Sequence, residues 1–210
     1  GAAAYLAETR NFAGTVVLMF QPAEEDGGGG EVMVKEGVLD RFGVERVFAL
    51  HTLPGLPLGE FRTTPGPILA AVDDFRVDIA GKGGHAAMPQ DSRDPVVAAC
   101  GMVQAMQTIV SRNHDPRKDL VLSVTQVHAG SADNVIPETA VIRGTLRNFD
   151  LGVRAMARGR MAEVVAGQAL AFGVEATLSF VDGYPPTIND PDQARFAAGV
   201  AAEIAPTDPD

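Results

Sequence analysis

Two glutamates stand side by side, Glu24 and Glu25, between the apolar run Thr15–Phe20 and four consecutive glycines, Gly27–Gly30. Adjacent carboxylates repel one another unless solvent or a cation offsets the charge. A single imidazole, His51, ends a second apolar run that begins at Glu45. Carboxylate with imidazole is a common ligand set for zinc and related divalent ions. Of two adjacent glutamates, one can bind the ion while the other takes a proton from the water the ion activates. Two ligands fall short of the three protein ligands of a catalytic zinc. A solvated acidic loop and a polar strand end explain the same residues without any chemistry.

These residues need elements to position them. Gly1–Arg10 has the composition of the end of an Ala-rich helix, and Glu31–Glu36 is helical in character. Thr15–Phe20, Glu45–His51 and the more polar Leu58–Thr64 are expected as strands of an α/β layer with parallel neighbours. In such sheets ligands gather at the carboxyl ends of the strands, which is where Glu24, Glu25 and His51 would converge. Beyond Ile68 the pattern changes. Phe75, Val77 and Ile79 alternate with Asp74, Arg76 and Asp78, as in a strand with one wet face. Asp94-Pro95 supplies an N-cap and a first-turn proline to a helix carrying Met102, Met106 and Ile109. Strands are expected around Leu120–Val124, Thr139–Arg147 and Val174–Phe180, with a long helix over Val153–Phe172. The order β-α-β-β-α-β over Phe75–Val181 is a split-βαβ, ferredoxin-like arrangement. It would be inserted, as residues 67–184, into a layer made of 1–66 and 185–210. Gly183–Pro191 is expected to be a non-periodic linker and Asp192–Ile204 a helix.

The chain has 210 residues and a formal charge of -10, which disfavours a nucleic-acid partner. No apolar run approaches the roughly 20 residues that cross a bilayer, so no membrane partner is expected. The single cysteine, Cys100, forms no internal disulfide and fits a reducing, cytoplasmic setting. It is expected in a helix core. The start without Met and the end just past a helical pattern suggest a piece of a longer protein, whose targeting signal would not be visible.

Five stretches in order carry a more specific signal: FQPAEE (Phe20–Glu25), LHTLPGLPLG (Leu50–Gly59), GKGGHAAMP (Gly81–Pro89), ADNVIPETA (Ala132–Ala140) and RGTLRNFD (Arg143–Asp150). Together they resemble the metal-dependent amidohydrolases of N-acyl amino acids: the hippurate hydrolases, aminoacylases and auxin-conjugate hydrolases of the zinc aminoacylase/carboxypeptidase superfamily. The resemblance implies a zinc-peptidase-like catalytic layer, here incomplete, with an inserted ferredoxin-like lid and dimerisation domain. It implies Glu24 as general base, Glu25 and His51 as metal ligands, and His85 as oxyanion stabiliser, often acting in the partner protomer's site. Asn134 and Arg147 are similar to groups that grip the substrate carboxylate, a role that suits a guanidinium. The implied cofactors are two divalent ions, Zn, Mn, Co or Ni, and the implied partners are a small N-acyl amino acid and a second copy of the chain.

Blander readings stand beside these. His85 could cap backbone groups in a glycine-rich turn, and Arg143, Thr145 and Arg147 could form a solvated stripe on one strand face. His114 is assigned no function, and His128 is expected to be structural. A non-catalytic ferredoxin-like binding module and a di- or tripeptidase are the alternative functions. The family's upstream Cys or Asp and His ligands, and a C-terminal His, have no counterpart in these residues. The chain alone is therefore expected to hold metal weakly and to show little activity.

Overall fold

Alternation decides the centre of this molecule. In the computed structural model, which describes residues 1–24 and 28–205, contacts divide the chain into two compact units, Gly1–Leu56 and Pro57–Asp210.

Among its described residues the first unit carries three helices, α1 (Ala2–Thr9), α2 (Gly29–Lys35) and α3 (Val38–Arg41). The strands expected at 15–20 and 45–51 are not formed, and neither is the one expected at 58–64 in the second unit, where Phe61 is a lone bridge residue. A strand exists only by hydrogen bonding to a neighbour. Among the described residues these runs gain no ladder, and Val16, Leu18, Phe20 and Leu50 are exposed rather than covered on two faces. The parallel α/β layer is thus corrected: every ladder among the described residues is antiparallel.

In the second unit the strands are β1 (Gly66–Leu69), β2 (Ala71–Ala80), β3 (Gly84–His85), β4 (Leu120–Ala129), β5 (Val135–Ile136), β6 (Thr139–Asn148), β7 (Glu175–Asp182) and β8 (Thr187–Asn189). The helices are α4 (Pro95–Thr108), α5 (Leu151–Phe172) and α6 (Pro191–Ala202). Four long strands form one antiparallel sheet in the order β4-β6-β2-β7. Phe75, Val77 and Ile79 of β2 and Ile142 and Leu146 of β6 meet Ala98, Met102 and Met106 of α4 and Ala157, Met161 and Val165 of α5 in one core. The opposite face carries Asp74, Arg76 and Asp78, then Arg143, Thr145 and Arg147, and bears no core cluster among the described residues. Gly144 is required where it stands: a Cβ there would collide with the Ser123 carbonyl and the Phe75 ring.

Helix starts follow local chemistry. Asp94 accepts from the Val96 amide at 2.8 Å, Asp150 from Gly152 at 2.7 Å and Asp190 from Asp192 at 2.9 Å. The helix after Asp94 continues into a π turn, Ile109–Asn113, which carries the buried Ile109. Cys100 is exposed, contrary to expectation, because the core stripe of α4 runs through Ala98, Ala99 and Met102 and leaves residue 100 on the wet side. The segment expected as a linker contains β8, which pairs with β1 through Pro67 and Ile188. Three residues are too short a run to show periodicity in sequence.

One charged network crosses the core boundary. Asp73, fully buried on β2, accepts from Nε of Arg154 at 2.7 Å and from a second Arg154 nitrogen. Arg154 and Arg158 also reach Asp182 at 3.2 and 2.6 Å, and the Arg158 guanidinium lies 4.2 Å from the centre of the Phe180 ring. The Asp73 carboxylate pushes the Arg154 pKa further up. Removing one member of a buried pair strands the other charge. Asp73→Ala should therefore lower stability by about 3–5 kcal/mol in urea unfolding, whereas truncating the exposed Asp182 should cost much less.

Candidate functional site

The glycine-rich stretch after β2 turns back on itself because its backbone finds partners. Gly81 N–H donates to the Glu138 carbonyl at 2.8 Å, and Lys82 exchanges two bonds with Arg93, each at 2.9 Å. β3 then pairs with β5, placing Gly84 opposite Ile136 and His85 opposite Val135. The Ala86 N–H donates to the Asn134 carbonyl at 3.0 Å. The structure thus brings together His85 and Asn134, which lie far apart in sequence. Gly83 permits this approach, since a Cβ there would sit 2.9 Å from the Ile136 carbonyl oxygen. An open recess of about 430 Å³ lies against this strap, lined by His85, Val135, Ile136, Pro137 and Glu138 with Gly83 and Gly84.

The ring of His85 is oriented by its own turn. The Ala87 N–H donates to Nδ1 at 3.1 Å. With Nδ1 accepting, the neutral imidazole carries its proton on Nε2. Nε2 takes no partner among the described residues and can donate to an oxygen that gains negative charge.

Arg147 stands elsewhere. It occupies the far end of β6, opposite Val72 and Val121, while the strap joins the end where Ala140 faces Ala129 and Ile79. At about 3.4 Å per residue the two ends are about 24 Å apart. Arg147 has no carboxylate partner among the described residues. Its Nη1 donates to the Thr145 hydroxyl and, at 3.3 Å, to the Leu146 carbonyl.

In the first unit Glu24 lies in an exposed turn beside Ala23, whose φ is +50°. Glu25 lies outside the described residues. His51 is exposed, with Nδ1 2.6 Å from the Thr52 carbonyl oxygen. Carboxylates and imidazole suit a divalent ion by type, yet no group of three His, Cys, Asp or Glu able to hold one occurs among the described residues. The described residues therefore do not by themselves fit a metal centre.

His114 contacts the Lys118 carbonyl oxygen at 2.6 Å and His128, inside β4, contacts Gln126 at 3.2 Å; neither joins the strap. Thr145 and Asp73 were not among the expected functional residues. The signal for Thr145 was its place two residues from Arg147 on the same strand face.

A family profile described as peptidase family M20/M25/M40 matches residues 1–210. N-acetyl-L-cysteine deacetylase of Bacillus subtilis is 42% identical over 90% of this chain and 45% of its own length. IAA-amino acid hydrolase ILR1-like 4 of Arabidopsis thaliana is 39% identical over 97% of this chain and 47% of its own. The chain spans about half the length of these relatives. The crystal structure of the Bacillus subtilis YXEP protein, a dinuclear metal binding peptidase from the M20 family, is similar with a TM-score of 0.69 and 32% identity, over 90% of this chain and 47% of that one.

The His85 tautomer is open to direct test. Long-range proton–nitrogen NMR correlations of the neutral ring should show the proton on Nε2, and a proton on Nδ1 would contradict the turn geometry.

Proposed function

The chain belongs to peptidase family M20/M25/M40, and from that membership we propose that the whole protein hydrolyses the amide bond of N-acyl amino acids, releasing a carboxylic acid and a free amino acid, with divalent metal as cofactor. The observation that carries this reading is the match over the whole chain, together with relatives named for removing an acyl group from cysteine and for hydrolysing an amino-acid conjugate.

Divalent ions bound by Glu25, His51 and residues of the whole protein would supply Lewis-acid chemistry. Glu24 takes a proton from water as its oxygen bonds to the amide carbon, and passes that proton to the nitrogen as the C–N bond breaks. The Nε2–H of His85 donates to the carbonyl oxygen while it carries negative charge. Arg147 pairs with the substrate carboxylate, and Asn134, which lies beside His85 on the strap, assists it from the partner protomer. In this reading residues 67–184 are a ferredoxin-like lid and dimerisation domain inserted between 1–66 and 185–210. The order β4-β6-β2-β7 and the two helices on one face support that assignment.

The distance along β6 bears on how the site is assembled. Some 24 Å of strand separates Arg147 from the His85 strap, too far for one small N-acyl amino acid to touch both within a single chain. This supports a homodimer in which one protomer provides Arg147 and its partner provides His85 to the same substrate.

Assays on the full-length protein test both parts. Glu24→Gln should reduce turnover of N-acetyl amino acids by about a thousandfold. Arg147→Ala and His85→Ala should each be strongly impaired alone. Mixed and re-equilibrated, they should regain about a quarter of wild-type activity, because half the dimers then carry one intact site of two. Full activity in Glu24→Gln would contradict the hydrolase, and the absence of any regain would contradict the shared site.

A further inference from the structure

Arg147 is a long side chain on the open face of the sheet, and long cationic side chains lose considerable rotamer freedom when they must meet a ligand in one geometry. The structure supplies a device that limits this loss. Thr145 lies two residues earlier on the same face, and its hydroxyl accepts a hydrogen bond from Nη1 of Arg147. That hydroxyl has one proton, which it donates to the backbone carbonyl of Asp73 on the neighbouring strand at 3.2 Å. Its lone pairs are thereby turned toward the guanidinium. The Leu146 carbonyl accepts from the same nitrogen at 3.3 Å. Asp73 is itself anchored, its buried carboxylate accepting a hydrogen bond from Arg154 of α5. A continuous series of contacts thus runs from the helix layer through β2 to the guanidinium.

We infer that Thr145 is a positioning residue for substrate binding: it holds Arg147 through Nη1 so that Nη2 and Nε are left to meet a ligand carboxylate. The inference rests on the proposed role of Arg147. Serine at 145 would retain the hydroxyl, whereas valine keeps the shape and the strand preference but offers neither acceptor nor donor.

Steady-state kinetics of the full-length protein decide the matter, with an N-acetyl amino acid and its methyl ester as paired substrates. Thr145→Val should raise KM for the free acid about tenfold while changing kcat less. Thr145→Ser should stay within about twofold of wild type, and the ester, which has no carboxylate, should be nearly indifferent to Thr145→Val. Arg147→Ala is the control. If it raises KM for the acid while Thr145→Val does not, the positioning role is wrong and the reading of Arg147 stands. If Arg147→Ala leaves KM for the acid unchanged, both are wrong. An equal rise for acid and ester in Thr145→Val would mark general damage to the strand and overturn the inference. Should the valine variant fail to fold, Thr145→Ala takes its place with the same expected split.

Discussion

A buried carboxylate on β2, held by an arginine on α5, is the interaction on which the second unit depends. Asp73 is fully buried, and a charge there is tolerable only because Arg154 donates to both of its oxygens. The consequence is geometric as well as energetic. The pair fixes α5 against β2, β2 holds β6 in register along its whole length, and β6 carries the residues that could meet a substrate. Apolar packing of the two helices on the sheet supplies the bulk of the cohesion, while the ion pair adds a directional constraint that packing lacks.

From that frame the two halves of the candidate site are presented at opposite ends of one strand. At the Thr139 end, a strap of glycines lies close enough to β5 for two short strands to pair, and its turn fixes the His85 ring with Nε2 free to donate. At the Asn148 end, Arg147 rests on Thr145 and faces away from the core. Strand geometry limits what a single copy can do: its ends cannot converge on one small molecule, which is why the proposed function draws Arg147 and His85 of one site from two copies.

How much of this was legible in sequence depended on whether the signal was local. Phe75, Val77 and Ile79 alternate because one face of β2 is buried, and that alternation is intrinsic to the strand, so its place and facing could be read directly. Asp94-Pro95 announced α4 for the same reason, since capping involves only the next few amides. The apolar run 15–20 misled because hydrophobicity specifies a covered strand only where a neighbour exists to pair with it, and the partner is not a property of the run itself. Three-residue β8 and two-residue β3 and β5 were too short to show a period. Asp73 falls on the buried face by the same alternation; its pairing with Arg154 joins residues far apart in the chain, and no local pattern records it. Of the candidate site, residue types were legible, and His85 and Asn134 proved to be neighbours. The tautomer of His85, the support of Arg147 by Thr145 and the separation along β6 needed coordinates.

The central claim is that β6 presents Arg147 to the substrate carboxylate while His85, at the other end of the sheet, reaches the same ligand from a second copy. A crystal structure of the full-length protein with a non-hydrolysable N-acyl amino acid analogue addresses it most directly. The account requires the ligand carboxylate within hydrogen-bonding distance of the Arg147 guanidinium and the acyl oxygen facing the partner protomer's His85. A ligand bound with its carboxylate away from Arg147, or touched by both residues of one protomer, would contradict it.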